Sequence, residues 1–214
     1  MALSTRQDLE SAIADWLNRE DRTVLDRIPD FITLAEKRIF HNPRMKCRSN
    51  EAYISYPDIG ALGFVVPVPP DLRAVKIMTI GQGPLNARTD QAYMARATSK
   101  GLTGVCTNYT RLKRATEEYH LWPTQDGLTN AVELFYYQTQ ALGSQPINTT
   151  QVLTDGPGLY LFGALLEAAP FLKFPNDVPM WAEKFGSAFS DLVGDTHENE
   201  LAGSTNDVSS VYGD

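Results

Sequence analysis

Residues 155–174 read DGPGLYLFGALLEAAPFLKF, and no other window of the chain is as apolar. Leu159, Phe162, Leu165, Leu166 and Phe171 recur at helical spacing, with Gly163, Ala164, Ala168 and Ala169 between them. That spacing predicts a helix. Asp155 stands where an N-cap belongs, and Pro157 falls in the first turn, where a missing N–H costs nothing. A helix apolar on most sides has to be covered on most sides. Its small residues let neighbours come close. The stretch is therefore expected to be the central helix of a bundle. Pro170 removes one backbone bond and predicts a kink or an early end. The run is too short and interrupted to cross a membrane, which takes about 20 continuous apolar residues.

Two amphipathic segments precede it. Ser4 or Thr5 can cap the first, with Gln7 or Asp8 completing a capping box. Leu9, Ala12, Ile13, Trp16 and Leu17 form its apolar stripe. REDR at 19–22 reads as a solvated break. Pro29 opens the second helix. Its buried face is Ile28, Phe31, Ile32, Ala35 and Ile39, with Glu36, Lys37 and Arg38 outside, and Asn42–Pro43 ends it. After the central helix, Asp177 and Pro179 start another, with Trp181, Phe185, Ala188, Phe189 and Leu192 as its stripe.

From Met45 the period changes. CRSNEAYISY (47–56) alternates as a strand does. The prolines at 67, 69 and 70 confine GFVVPVPPDL to an edge or a bend. In RAVKIMTI (73–80), Val75 and Ile77 share one face, and Ala74, Lys76 and Met78 the other. GQGP (81–84) reads as a turn. DQAYMARAT (90–98) reads as a short helix with Ala92, Tyr93 and Met94 partly buried, and NYTRLKRA as a strand. EEYHLWP and AVELFYYQ read as a hairpin closed at Asp126–Gly127.

The expected fold class is α+β. A four-helix bundle is formed by the N- and C-terminal helices, residues 1–44 and 150–200. A mostly antiparallel β domain is inserted at 45–149. An extended tail follows at 201–214. The tail is rich in Ser, Gly and Asp, a composition that does not fold alone. Its reading is a docked segment anchored by Val208, Val211 and Tyr212.

Net charge is −7 but uneven. Residues 1–44 carry 7 bases and 8 acids, residues 45–150 carry 10 and 8, and residues 151–214 carry 2 and 10. The last segment would repel DNA, since tight backbone binding needs a basic footprint. No basic region followed by an apolar run opens the chain, so no secretory signal is expected. Two cysteines far apart, Cys47 and Cys106, fit a reducing compartment.

Candidate chemistry is sparse. His41, His120 and His197 stand at no ligand spacing from one another. Glu117 and Glu118 are adjacent on a strand and face opposite ways. GQG is followed by neither a helix start nor Lys-Ser/Thr, so it is no phosphate loop. Asp191, Asp195, Glu198 and Glu200 read as a solvated helix end. No catalytic, cofactor or metal residue is expected. Two alternatives are carried: an uncharacterised enzyme around His120 and Glu118, and a small nucleic-acid-binding module using Arg111, Lys113 and Arg114.

The order of segments carries a resemblance. DLESAIADWLNREDRTVLDRIPDFITLAEKRI resembles the opening of head-to-tail adaptors of short-tailed bacteriophages, the tail tubular protein A type. The shared second motif is Ile28, Pro29, Asp30, Phe31, Ile32, Leu34, Ala35, Glu36, Arg38 and Ile39. VPVPPDLRAVKIM, EEYHLWPTQDG with AVELFYYQ, and LYLFGALLEAAPFLK follow in family order, over most of residues 8–193. The resemblance implies a virion structural protein, not an enzyme, made in the host cytoplasm. It implies a homo-oligomeric, dodecameric ring at the head–tail junction. Its partners would be the portal protein and the tail nozzle protein. Viral DNA would pass through the channel without specific binding, no membrane would be involved, and the tail would dock on the portal.

Overall fold

The computed structural model describes residues 3–19, 21–58, 64–81, 83–97, 105–113, 116–124, 131–173 and 176–204. The chain divides into two compact units, Met1–Asn50 with Gln140–Asp214, and Glu51–Thr139. It is α+β, with two sheets in the second unit.

The first unit is helical. Helix α1 (Arg6–Leu17) starts in a capping box. The Thr5 hydroxyl oxygen accepts the Asp8 N–H at 3.2 Å, and the Asp8 carboxylate accepts the Thr5 N–H at 3.1 Å. Leu9, Ala12, Ile13 and Leu17 are buried as the stripe requires. Trp16 is not: it is 46% exposed and lies edge-on to Phe162, centroids 5.5 Å apart. The break at 19–22 leads into a single turn, α2 (Arg22–Leu25). Helix α3 (Ile28–His41) has Pro in its first turn and buries the expected residues together with Phe40.

The expected strand at 47–56 is only half a strand. Met45 and Cys47 are fully buried, and a 3-10 turn spans Arg48–Asn50. Asn50, also fully buried, accepts the Cys47 N–H at 3.0 Å and donates to the Met45 carbonyl at 3.3 Å. A side chain that satisfies two backbone groups in a dry site holds this stretch out of a ladder.

The chain returns through α5 (Gln151–Asp155), α6 (Pro157–Leu172) and α7 (Val178–Ser204). Asp155 does not cap α6, whose N-cap is Gly156. It closes α5, where its carboxylate accepts the Ser49 hydroxyl at 2.6 Å and the Gln151 amide at 2.9 Å. Pro157 opens α6, Pro170 lies inside it, and Lys173 caps it in the left-handed region directly after Leu172. α6 touches α1, α3, α5 and α7. Leu159, Tyr160, Ala164, Leu165 and Ala168 have no exposed surface, whereas Phe171, expected inside, is 47% exposed against Phe31. α7 continues through residues 201–204.

The second unit holds β1 (Glu51–Tyr56), β2 (Val65–Pro67), β3 (Leu72–Ile80), β4 (Gly83–Pro84), β5 (Asn86–Ala87), helix α4 (Asp90–Ala97), β6 (Asn108–Lys113), β7 (Glu117–Trp122) and β8 (Val132–Gln138). One sheet has the order β1-β8-β3-β4, the other β2-β7-β6-β5. All pairings are antiparallel except β5 with β6. The proline-bearing β2 is an edge strand, as proline requires.

The hairpin expectation fails. β7 pairs with β2 and β6, and β8 with β1 and β3, so the two lie in different sheets. Their apolar faces meet instead across one core, Tyr119 and Leu121 from β7 and Val132, Leu134 and Tyr136 from β8. The phase of β3 also differs. Its register shifts between Leu72 and Ala74 and between Val75 and Ile77. Each shift advances the facing by one residue. Leu72, Val75, Met78 and Ile80 therefore pack inward, and Ile77 is 48% exposed. In α4, Met94 is 50% exposed rather than partly buried.

Candidate functional site

The chemistry-bearing residues do not converge. β6–β7 register puts Glu118, His120 and Trp122 on one face with Leu112, Thr110 and Asn108. His120 is 7% exposed. Its Nδ1 lies 3.4 Å from the Tyr93 hydroxyl of α4, and its Nε2 lies 3.6 Å from the Glu118 carboxylate. The Tyr93 ring, 5.5 Å from His120 and 6.4 Å from Trp122, covers the group. This is a polar contact of a buried histidine beneath a helix, open to solvent on the Glu118 side. His41 stands elsewhere, with Nδ1 2.7 Å from the Lys37 carbonyl oxygen. His197 is on α7.

Cys47 and Cys106 are free and buried. Burial pushes both thiols up, Cys106 to about 11. A nucleophilic cysteine needs the opposite shift. Among the described residues, no group of three or more His, Cys, Asp or Glu could hold a metal ion. Among them too, no helix is long and apolar enough to cross a membrane.

The basic trio is partly neutralised. Arg111 and Lys113 both turn to Glu117, Lys113 at 3.7 Å, and these contacts hold the Glu117 carboxyl below its ordinary value. Arg114 lies outside the described residues. A second set of bases is exposed as well: Arg44, Lys46 and Arg48 alternate outward because Met45 and Cys47 point inward. In the helical unit a cleft of about 430 Å³ is lined by Trp16, Leu17, Asn18, Arg19, Asp177 and Trp181. Its charges are mixed, and Arg19 already holds Asp21 at 3.6 Å.

One surface emerges only from the pairing of strands. Register aligns Tyr53, Phe135 and Ile77 across β1, β8 and β3. All three face away from the core and are large exposed apolar groups. The signal available in the sequence is an aromatic residue in the polar phase of an alternating strand: Tyr53 between Glu51 and Ser55, Phe135 between Glu133 and Tyr137. The tail anchors Val208, Val211 and Tyr212 lie outside the described residues.

The family model of the SU10 adaptor protein matches residues 4–209, so the chain belongs to the SU10 adaptor protein family, a family of phage head-to-tail adaptors. No curated protein matches the chain. Membership gives it a structural role in a phage virion and implies contact with portal and tail components.

Proposed function

We propose that this chain forms a ring that joins the portal to the tail nozzle and lines the DNA channel. The number of copies in this reading is twelve, as the resemblance implies. The observation that carries the reading is the family match from residue 4 to residue 209, both units included. α1, α3, α6 and α7 serve as a four-helix bundle, and the inserted β unit extends the contacts each copy makes. Contact of α6 with α1, α3 and α7 supports the bundle. The two bases and ten acids of residues 151–214 would keep passing DNA from adhering if that part faces the lumen. The tail, with Val208, Val211 and Tyr212, docks on the portal.

Mass photometry or electron microscopy of the chain mixed with its portal tests this. Portal particles gain a closed ring of additional subunits. Persistent absence of binding rejects the reading. A chain lacking residues 205–214, which follow α7, keeps its melting transition and loses portal affinity; unchanged affinity rejects the docking role of the tail.

A further inference from the structure

Residues 37–50 read KRIFHNPRMKCRSN and hold five of the chain's 19 Lys and Arg with no acid among them. All five bases and His41 are exposed. Arg38 meets Glu167 at 2.6 Å. Lys37, Arg44 and Lys46 form no ion pair among the described residues. In a chain of net charge −7 this is a concentrated patch of the opposite sign.

The backbone under the patch is pinned. The Arg44 N–H donates to the Asn42 side chain at 3.0 Å, and the Lys46 N–H donates to the Arg44 carbonyl at 2.7 Å. Met45 and Cys47 anchor the segment in the core, and buried Asn50 ties both to itself. Arg44 and Lys46 therefore stand in water on a fixed turn, and little backbone order is left to be gained when a partner binds.

The apolar residues of the segment decide what that partner is. Ile39, Phe40, Met45 and Cys47 are all 5% exposed or less, so none lies beside the charges. The centre of a protein interface is depleted of charge and carries apolar or aromatic groups. A phosphate backbone needs none of these. It is held by solvated Lys and Arg through the release of its counterions. The bases of β6 differ, because Arg111 and Lys113 already share Glu117.

We propose that this surface holds the phosphate backbone of double-stranded DNA without regard to sequence. The inference goes beyond the ring reading and does not depend on it, since one chain carries the whole surface. Phosphate contacts position a duplex and carry no sequence information. Three free bases give a log–log salt dependence of roughly −3, at about 0.9 for each phosphate. So few contacts make a weak hold that lets a duplex slide.

The test is an amide NMR titration of the full chain at low salt, with a short DNA duplex and, separately, with polyglutamate. The duplex moves the amides between His41 and Arg48, and a second duplex of unrelated sequence does so with the same affinity. Arg44→Gln with Lys46→Gln keeps the wild-type melting transition, weakens duplex binding by about tenfold and lowers the salt slope by about 2. Arg111→Gln with Lys113→Gln leaves the affinity unchanged. Amides of this segment that stay still at low salt overturn the proposal and leave the ring reading standing. Shifts centred on Arg111 and Lys113 overturn it as well. Polyglutamate that moves the same amides as strongly as the duplex assigns the surface to an acidic protein and overturns it too.

Discussion

Glu36 of α3 accepts the backbone N–H of Leu142 at 2.7 Å, a contact between residues 106 positions apart. It fastens the returning chain to the N-terminal helices, as does Arg6, which donates to the Gly143 carbonyl. Burial raises the Glu36 carboxyl above its ordinary value, against the Leu142 N–H and the Arg6 charge, which lower it. Glu36→Ala leaves a buried N–H unpaired and is expected to cost about 1–3 kcal/mol in urea unfolding. Glu36→Gln keeps an acceptor. The pH dependence has a definite sign. A raised native value means the folded chain binds the proton more tightly than the unfolded one. That contribution is present at acid pH and is lost as pH rises through the native value. Glutamine does not titrate. Glu36→Gln should therefore gain on wild type between about pH 3 and pH 8, and a gap that narrows with pH contradicts the assignment.

Two helix glycines should answer the same substitution with opposite signs. A Cβ on Gly163 of α6 would stand 3.1 Å from the Ala35 Cβ and 3.3 Å from the Phe185 ring. Ala35 is fully buried on α3, so the helices must part to admit a methyl group. Gly163→Ala is expected to lose roughly 1–3 kcal/mol, although alanine is the better helix former. A Cβ on Gly186 of α7 meets nothing within 4 Å. Gly186→Ala should gain up to about 1 kcal/mol. Thermal melts of the two variants compare them directly.

The helical unit is largely legible in the sequence because helical period and burial agree there: Leu9, Ile13, Ile32, Ala35, Leu159 and Leu165 are all buried where the stripes put them. Trp16 and Phe171 escape because a stripe says which side a residue is on, not how far the neighbouring helix extends over it. In the β unit, alternation tells the face of each strand and not its partner. β7 and β8 show the consequence, since two strands with facing apolar sides look alike in sequence whether they share a sheet or oppose one another. The bulges of β3 shift the phase without any glycine to announce them. For the site, Val208, Val211 and Tyr212 rest on composition alone. The outer row of Tyr53, Phe135 and Ile77 needs cross-strand register, which one strand's sequence does not contain.

The two cysteines provide a measure of each unit's integrity. Cys47 is fully enclosed in the helical unit, and Cys106 is 4% exposed in the β unit. Burial pushes Cys106 up to about 11, so near neutral pH it is overwhelmingly the thiol, which is the unreactive form. In the native chain neither is expected to react with a thiol reagent at about pH 8, and both should react in denaturant. Fast labelling of Cys106 alone under native conditions would mean that the β unit opens independently. Fast labelling of both would contradict their burial.

Met78 and Ile77 give the sharpest test of the strand register. Plain alternation from Val75 puts Ile77 inside and Met78 outside. The shifted register reverses this: Met78 is 1% exposed within the core with Leu134 as its cross-strand neighbour, and Ile77 is 48% exposed beside Phe135. Met78→Ala leaves a cavity between the sheets and is expected to cost about 2–5 kcal/mol. Ile77→Ala removes surface already half in water and should change stability by about 0.5 kcal/mol or less. Urea midpoints at constant slope measure both. Strand propensities span only about 1 kcal/mol, so they cannot produce so wide a gap. Equal losses, or the larger loss at Ile77, would mean that β3 runs without its second bulge, and the exposed row would then lose its third member.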